Sequence, residues 1–565
     1  MTEAGQGVGR SNGLAVFVKG AVVGDVVTAE LAKVKKSYAF GRLLSVDEPS
    51  DDRIEAFCPY SGQCGGCAYG ELSYEAQLAL KEKQIRDKLI RLGGVAGLEQ
   101  TLEGSGAPEL NERFNGMSGS KEKLGSVGLP GSEEKLGSDG LPGSKVPAAA
   151  FAPVPQLRPI IGMGEPFRYR NKAAMPIWTG GVITRKGGVL ENLGTPAIGF
   201  YQAKSHDVVD CYDCFLQSEP AMAAAEALRQ FMISDNITAY DPKWEKGLLR
   251  HLVVKTARGT GEVMVILVIN GKGIPNAEKL VDMLDDAIYN LPPTEDGIEY
   301  NLESVIINVN KAEGKAGKSS RAGGGKSGKA ANENGSRSQR GTSIFGSECI
   351  TLAGKPAIFE KVGGLQFEIS PLSFYQVNPV QMEALYDKAM EYADLSGSET
   401  VLDLYCGVGT IGLFAAREME RNRNMTMDIG RVIGIESVKE AVLDANRNAV
   451  INNIVNARYI CGKAEEELPK LISGEGLKDQ SLKISHADVV FLDPPRAGCD
   501  ERLLEAVIAI EPERIVYVSC DPATLARDVK YLTGKGYAFV EGTPVDMFPW
   551  TGSVETCVLL SHKNS

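Results

Sequence analysis

A cysteine follows an apolar, strand-like segment near the end of the chain. In the stretch RIVYVSCDPATLARDV, Cys520 comes directly after the predicted strand, and a predicted helix begins just beyond it. Ligands of open α/β sheets bind where the strands end, and a thiol near a helix N-terminus has a lowered pKa. A buried, inert cysteine is the commoner fate of this residue type. The strand-end position and the polar Asp521 that follows favour a nucleophile, and we expect the pKa of Cys520 to be lowered.

A glycine-rich turn joins an apolar strand to a helix in the stretch TVLDLYCGVGTIGLFAA. Gly407, Gly409 and Gly412 have the spacing G-x-G-x-x-G, and Glu436 ends the next predicted strand. Taken alone, this pattern is typical of dinucleotide sites, where the acid binds ribose hydroxyls. Asp403, however, lies just inside the strand end, where a carboxylate can reach the cationic methionine portion of S-adenosylmethionine.

A third predicted strand ends in FLDPPR, at residues 491–496. Dehydrogenases do not require Asp-Pro-Pro at that place, so the three strand ends together favour a site for S-adenosylmethionine. Enzymes that methylate the amino group of a base place an aromatic residue after Asp-Pro-Pro, whereas this chain has Arg496. The motif therefore disfavours methylation of a base amine, and a packing turn without a ligand is the alternative.

Three cysteines are grouped near the beginning of the chain. Cys58, Cys64 and Cys67 have the spacing C-x5-C-x2-C, and the distant CYDC offers Cys211 or Cys214 as a fourth ligand. Four thiolates can hold zinc or an iron–sulfur cluster. The spacing alone selects neither the metal nor the fourth cysteine.

Composition limits the class of protein. The 565 residues carry a net charge of -12, which excludes a globally basic nucleic-acid coat but not a local basic surface. No stretch is long and apolar enough to span a membrane, and the start MTEAGQGVGR lacks an apolar segment, so we expect a cytoplasmic protein. Four histidines make a histidine-based triad or metal site improbable.

The pattern along the chain predicts an α/β protein with several parts. We expect a small TRAM-like or OB-like β-barrel at 1–55, whose basic and aromatic residues around Tyr38 suit RNA, and a cysteine segment with a helix at 56–100. A low-complexity insertion at 101–149 contains a tandem repeat. A central α+β domain at 150–370 contains Cys214 and a basic insertion at 311–340. A Rossmann-like, doubly wound domain follows at 371–565.

The chain resembles the RNA 5-methyluridine methyltransferases. The matching stretches occur in family order and cover most of the chain outside the two insertions: CPYSGQCGGC, FRYRNKA, GLLRHLVV, SPLSFYQVNP, DLYCGVGTIGL, FLDPPRAG, YVSCDPATLARD and DMFPWTGSVETC. The resemblance implies that Cys520 adds to C6 of a uracil, that C5 takes the methyl group of S-adenosylmethionine, and that Glu555 removes the C5 proton.

The same resemblance implies the other site residues. The cofactor contacts would be Gln376, Tyr405, Thr410, Glu436 and Asp493. A [4Fe–4S] cluster would be held by Cys58, Cys64, Cys67 and Cys214. The cluster and the TRAM module favour 23S ribosomal RNA over transfer RNA as the partner, and we expect a monomer that presents its site to a single-stranded uridine.

Two positions depart from the family pattern. Asp521 follows Cys520 where Asn is frequent, and Ser553 stands where His often precedes Val-Glu. The alternatives are a non-catalytic RNA-binding or ribosome assembly factor and a nicotinamide oxidoreductase. The presence of both Cys520 and Glu555 argues against the first of these.

Overall fold

The computed structural model describes residues 1–98, 154–179, 194–203, 205–242, 244–294, 296–311, 344–423, 429–477 and 479–563. The predicted insertion at 101–149 and all but the first residue of that at 311–340 lie outside these ranges. Among the helices of this described part, none combines the length and apolar character needed to cross a membrane.

The chain begins with a small four-stranded sheet. Its strands are β1 (Gln6–Ser11), β2 (Leu14–Lys19), β3 (Val26–Val34) and β4 (Tyr38–Glu48). They are ordered β1-β2-β4-β3, with a parallel pairing between β2 and β4. The core of this sheet is small, with Val16, Val18, Ala21 and Ala39 buried together.

A helix, α1 (Tyr74–Arg91), follows the cysteine segment. Ser73 caps it, because its hydroxyl accepts a hydrogen bond from the amide of Ala76 at 3.3 Å. The face of α1 that carries Ile85 and Leu89 packs into the core of the C-terminal domain.

Within the described ranges, the central part is a seven-stranded sheet with two helices. Its elements are β6 (Lys172–Thr179), β7 (Pro196–Tyr201), β8 (Val208–Asp210), α2 (Glu219–Ser234), β9 (Leu249–Thr256), β10 (Glu262–Ile269), α3 (Ala277–Tyr289), β11 (Asn301–Val309) and β12 (Glu348–Gly354). The strand order is β12-β11-β10-β9-β6-β7-β8. Helices α2 and α3 cover one face, and Val253, Met264 and Ile306 on the other face join the core of the C-terminal domain. Because both faces of the central sheet are covered, both faces of β10 are buried, and its sequence is a continuous apolar run.

A hairpin of β13 (Ile358–Val362) and β14 (Leu365–Ile369) leads into the C-terminal domain. The remaining elements are α4 (Pro379–Ala393), β15 (Thr400–Leu404), α5 (Thr410–Asn422), β16 (Arg431–Glu436), α6 (Lys439–Ile451), β17 (Ala457–Cys461), α7 (Ala464–Ser473), β18 (Val489–Leu492), α8 (Glu501–Ala509), β19 (Arg514–Ser519), α9 (Pro522–Thr533), β20 (Tyr537–Val545) and β21 (Glu555–His562). The predicted α/β architecture is confirmed.

The C-terminal sheet has the order β17-β16-β15-β18-β19-β21-β20-β5, where β5 is the short strand Gln156–Leu157. That strand falls within the range predicted for the central domain, yet it pairs with the edge of this sheet. The strands from β17 to β19 are parallel, and β21 is antiparallel to both neighbours. The strand order reverses between β15 and β18, because the chain adds β16 and β17 on one side of β15 and β18 and β19 on the other. A ligand crevice forms at such a switch point.

Candidate active site

The end of β15 holds a buried carboxyl group. Asp403 is fully buried, and its Oδ2 accepts a hydrogen bond from the amide of Gly412 at 2.9 Å. Its Oδ1 has no hydrogen-bond partner among the described residues. Burial raises the pKa of Asp403 to about 7, and the charges of Asp493 and Glu436 add to the rise. An unpartnered buried acceptor at a strand end suits a ligand that donates a hydrogen bond or carries positive charge.

The turn after β15 is shaped by residues with positive φ. Tyr405, Gly407 and Gly409 have φ values of 66°, 55° and 81°. A Cβ on Gly409 would lie 2.7 Å from the ring of Tyr459, so glycine is required there, whereas a Cβ on Gly407 would meet nothing within 4 Å. The open space at Gly407 leaves room for a ligand against the backbone.

Glu436, the last residue of β16, is hydrogen-bonded to this turn. Its Oε2 accepts a hydrogen bond from the amide of Gly407 at 3.2 Å, and its Oε1 accepts from the amide of Val438 at 2.8 Å. The hydroxyl of Ser437 also donates to Oε1, at 3.0 Å. A carboxylate has about four acceptor positions, so Glu436 can accept from a ribose hydroxyl while it keeps these three bonds.

Gln376 and Thr410 lie at the starts of two helices beside the turn. The backbone oxygen of Gln376 accepts a hydrogen bond from the Asn171 side chain at 2.9 Å. The hydroxyl of Thr410 is 3.0 Å from that of Tyr386 on α4. Burial raises the pKa of Tyr386, and the charges of Asp493, Asp403 and Glu555 act in the same direction. Tyr386 is therefore close enough to the predicted cofactor-binding and catalytic carboxyl groups to interact with their charges, and no sequence motif singles it out.

Cys520 and Glu555 lie across from each other at the ends of two neighbouring strands. Strands β19 and β21 are antiparallel, and their last aligned pair is Ser519 with Thr556. Cys520 follows Ser519 and Glu555 precedes Thr556, so both reach the same edge of the sheet. Glu555 is 5% exposed, and Cys520 is partly exposed. The two predicted catalytic residues are thus side by side.

The charges around Cys520 set its protonation. Burial and the carboxylate of Glu555 raise its pKa to about 11, and the guanidinium of Arg496 opposes the rise. The expectation of a lowered pKa is therefore wrong for the free protein. The physical reason is the burial of Cys520 together with the charge of Glu555. The first amides of α9, at Ala523 and Thr524, donate to the Asp521 carboxylate at 2.9 and 3.0 Å.

The carboxyl groups near Cys520 hold their protons more tightly than free acids do. Burial raises the pKa of Glu555 well above its usual value, with a contribution from Asp493 and an opposing one from Arg496. Burial also raises the pKa of Asp493 to about 7. A carboxyl group whose pKa lies near neutrality can exchange protons with a substrate at physiological pH.

The predicted metal ligands come from two loops that lie near each other. Burial raises the pKa of Cys67 to about 12, and the charges of Cys214, Cys64 and Cys58 add to the rise. The thiol of Cys211 donates a hydrogen bond toward Cys214 and lowers its pKa. The four predicted thiols are therefore in electrostatic contact. Across the described ranges, however, no three His, Cys, Asp or Glu side chains are arranged to hold a metal ion.

The N-terminal sheet carries the aromatic and basic residues predicted to bind RNA. The rings of Phe17, Tyr38 and Phe40 contact one another at centroid distances of 5.6–6.0 Å. Tyr38 is exposed, and Arg42 pairs with Glu30 at 2.5 Å. An exposed aromatic ring beside basic residues suits stacking on an unpaired base.

A cleft of about 690 Å³ lies elsewhere, between α4 and α5. Its walls include Glu383, Asp387 and Arg417, and it contains none of the predicted site residues. The chemistry of the strand ends, and not the size of this cleft, identifies the candidate active site.

Comparisons with known proteins place the chain among RNA methyltransferases. A family model described as tRNA (Uracil-5-)-methyltransferase matches residues 360–563, and a TRAM domain model matches residues 2–44. An uncharacterized RNA methyltransferase of Halalkalibacterium halodurans is 35% identical over 564 residues, which are 100% of this chain and 96% of the relative. An uncharacterized RNA methyltransferase of Caldanaerobacter subterraneus is 37% identical over 563 residues, with the same coverage.

One solved structure shares the fold over nearly the whole chain. It is the tRNA (uracil-54, C5)-methyltransferase of Pyrococcus abyssi in complex with S-adenosyl-L-homocysteine. The identity is 22%, the TM-score is 0.61, and the match covers 98% of this chain and 97% of the other. At this identity the likeness shows the fold alone, and it confirms the predicted Rossmann-like domain.

Proposed function

This chain belongs to the RNA (uracil-5-)-methyltransferase family, and on that premise we propose that it methylates C5 of a uridine in RNA through a transient bond between Cys520 and C6 of the uracil. The observation that carries the proposal is the placement of Cys520 and Glu555 across from each other at the ends of β19 and β21. A nucleophile and a buried carboxyl group side by side are what this reaction requires.

The chemical steps balance with these two residues. Cys520 loses its proton to solvent, and its sulfur bonds to C6 of the uracil while the C5=C6 electron pair makes C5 nucleophilic. C5 then accepts the methyl group. The Glu555 carboxylate takes the C5 proton, the C5=C6 bond forms again, and Cys520 leaves as a thiolate. Arg496 favours the thiolate by its charge.

S-adenosylmethionine supplies the electrophilic methyl group when it is bound. The residues at the switch point fit it, because Asp403 has an unpartnered buried oxygen and the backbone at Gly407 faces open space. We assign the ribose contact to Glu436 and further cofactor contacts to Gln376, Tyr405, Thr410 and Asp493.

We further propose that Cys58, Cys64, Cys67 and Cys214 hold a [4Fe–4S] cluster. The mutual electrostatic contact of the four thiols and their soft sulfur donors support this assignment. Their side chains must turn toward a common centre before they can act as ligands. The cluster has a structural role in this proposal, and no step of methyl transfer passes through it.

The proposed substrate is 23S ribosomal RNA, with a uridine that leaves its stack to reach Cys520. Flipping a base costs a few kcal/mol and is easiest in a loop or bulge. A transfer RNA uridine is the second candidate, because the matching family model is described as tRNA (Uracil-5-)-methyltransferase. The monomeric state and the cytoplasmic location stay predictions.

The test is to map 5-methyluridine in ribosomal and transfer RNA from cells with the gene, without it, and with Cys520→Ala. The proposal expects one or more ribosomal sites to lose the mark in the deletion and in the variant. If 5-methyluridine is lost only from transfer RNA, the substrate is the second candidate, a transfer RNA uridine. Unchanged methylation with Cys520→Ala would instead support a non-catalytic RNA-binding factor, and tight binding of NADH with no binding of S-adenosylmethionine would indicate an oxidoreductase.

A further inference from the structure

The loop between β20 and β21 leads directly into Glu555, and we call residues 546–554 the base loop. Five consecutive backbone oxygens of this loop each accept a hydrogen bond from a residue outside it. The donors are Gln381 to Asp546 at 3.1 Å, Asn378 to Met547 at 3.1 Å, Lys81 to Phe548 at 3.1 Å, Tyr169 to Pro549 at 3.0 Å and Tyr69 to Trp550 at 3.1 Å. The base loop is therefore held from α1, from the central domain and from α4 at once.

Helix α1 contacts the base loop through a buried ion pair. The ammonium of Lys81 is 2.5 Å from Oδ1 of Asp546, and both side chains are fully buried. One turn earlier on the same face, Oε1 of Gln77 accepts a hydrogen bond from the amide of Trp550 at 3.0 Å. Burying a charge is costly unless it is paired and hydrogen-bonded, so these contacts define one position of the loop against the helix.

Other parts of the chain restrict the base loop further. Trp550 has a φ of 67°, and its indole nitrogen donates to the oxygen of Pro166 at 2.8 Å. The Trp550 ring stacks on Phe167 at a centroid distance of 5.2 Å. A Cβ on Gly552 would lie 1.9 Å from the backbone oxygen of Glu3, so the start of the chain packs directly against the loop.

We propose that Lys81 is a positioning residue for Glu555. It holds the base loop through Asp546 and Phe548, and thereby fixes the distance from the Glu555 carboxylate to the C5 proton of the substrate. This inference rests on the proposed function, because it presumes that Glu555 is the base. Cys520 and the predicted cofactor contacts lie outside the base loop, so the loss of Lys81 should slow proton removal more than methyl transfer.

The experiment compares covalent adducts in variants of the full chain. Lys81→Met alone leaves Asp546 buried without its partner, so the double variant Lys81→Met/Asp546→Asn removes both charges. Gln77→Met is measured in parallel because it disturbs no buried charge. It loses the Trp550 contact together with the hydrogen bonds that Gln77 donates to the backbone oxygens of Tyr69 and Leu72. The control is Lys83→Met on the exposed side of α1, where Lys83 pairs with Asp87 at 3.2 Å.

A slow proton removal leaves the methylated uridine bonded to Cys520. The double variant and Gln77→Met should therefore accumulate protein–RNA adduct on denaturing gels. Their kcat should fall about tenfold, because a displacement of about 1 Å at a reacting group can cost as much as 100-fold. The KM for S-adenosylmethionine and the behaviour of Lys83→Met should stay at the wild-type level.

Two results would overturn the role of Lys81. In the first, neither variant accumulates adduct and both keep the wild-type kcat. In the second, the affinity for S-adenosylmethionine falls together with kcat and no adduct appears, which a merely structural role predicts. Glu555→Gln serves as the reference: if it forms no adduct with a competent RNA, the proposed function fails and not only the role of Lys81.

Discussion

The protonation state of Cys520 should move in opposite directions when its two charged neighbours are changed. Burial and the Glu555 carboxylate raise the pKa of Cys520 to about 11, whereas the Arg496 guanidinium lowers it. A negative neighbour opposes thiolate formation, and a positive neighbour favours it. We therefore expect Glu555→Gln to lower the pKa of Cys520 and Arg496→Gln to raise it.

The size of the effect follows from the fraction of thiolate. At pH 8, a thiol with a pKa of about 9 is roughly one tenth ionised, whereas a pKa of about 11 leaves roughly one molecule in a thousand ionised. Because the thiolate is the reactive form, Cys520 of the free protein should react with iodoacetamide about 100-fold more slowly than an ordinary thiol. The rate should rise about tenfold for each pH unit from about pH 7 to 10.

The assay is timed alkylation followed by proteolysis and mass spectrometry of the peptide that contains Cys520. The exposed Cys461 supplies a reference thiol within the same chain. Glu505→Gln is the matched control, because it removes a surface carboxylate that pairs with Lys535 at 3.0 Å, and it should leave the rate at Cys520 unchanged. A plateau in the rate below about pH 9, or a shift of both test variants in the same direction, would refute the electrostatic reasoning.

Three further predictions concern the cofactor site and the cysteines. Gly412→Ala should weaken S-adenosylmethionine binding about tenfold or more, because a Cβ would lie 2.8 Å from Oδ2 of Asp403; unchanged affinity by titration calorimetry would contradict this. The pKa of Asp403 is about 7 in the folded protein and 3.8 in a free acid. The protonated Asp403 therefore contributes its full stabilisation below about pH 3.8, and this contribution is lost as the pH rises to about 7. Asp403→Asn should escape that loss, which is about 3 kcal/mol at most between about pH 5 and pH 7.5, and urea unfolding at both pH values measures it. Cys214→Ser should lose iron after anaerobic reconstitution while Cys211→Ser keeps it, as measured by iron analysis, and the reverse result would exchange their roles.

Much of the C-terminal domain could be predicted because its strands are continuous apolar runs that end in polar residues. Parallel strands bring their carboxyl ends to one edge, so Asp403, Asp493 and Cys520 had to lie near each other once the strand order was known. The cap at Ser73 could also be predicted from the local sequence, because a serine just before a helical run accepts a hydrogen bond from an amide of the first turn. Glu555 could be assigned only through the family resemblance, because its own sequence surroundings suggest a surface acid.

What the sequence could not supply depends on contacts between distant segments. The raised pKa of Cys520 arises from its burial and from the antiparallel register that sets Glu555 opposite it. Tyr386 and Lys81 lie on helices without a motif, and the partners that give them a role, Thr410 and Asp546, are far away in the chain. Periodicity and spacing describe neighbours along the chain, so they do not detect such pairs.

The most direct test of the central claim uses RNA in which the target uridine is replaced by 5-fluorouridine. Fluorine at C5 cannot leave as a proton, so the bond between Cys520 and C6 should persist after methyl transfer. We expect a denaturation-stable protein–RNA adduct that depends on S-adenosylmethionine, with the modified nucleotide mapped to the peptide of Cys520. Absence of the adduct with an RNA that the protein methylates in its unfluorinated form would contradict covalent catalysis by Cys520.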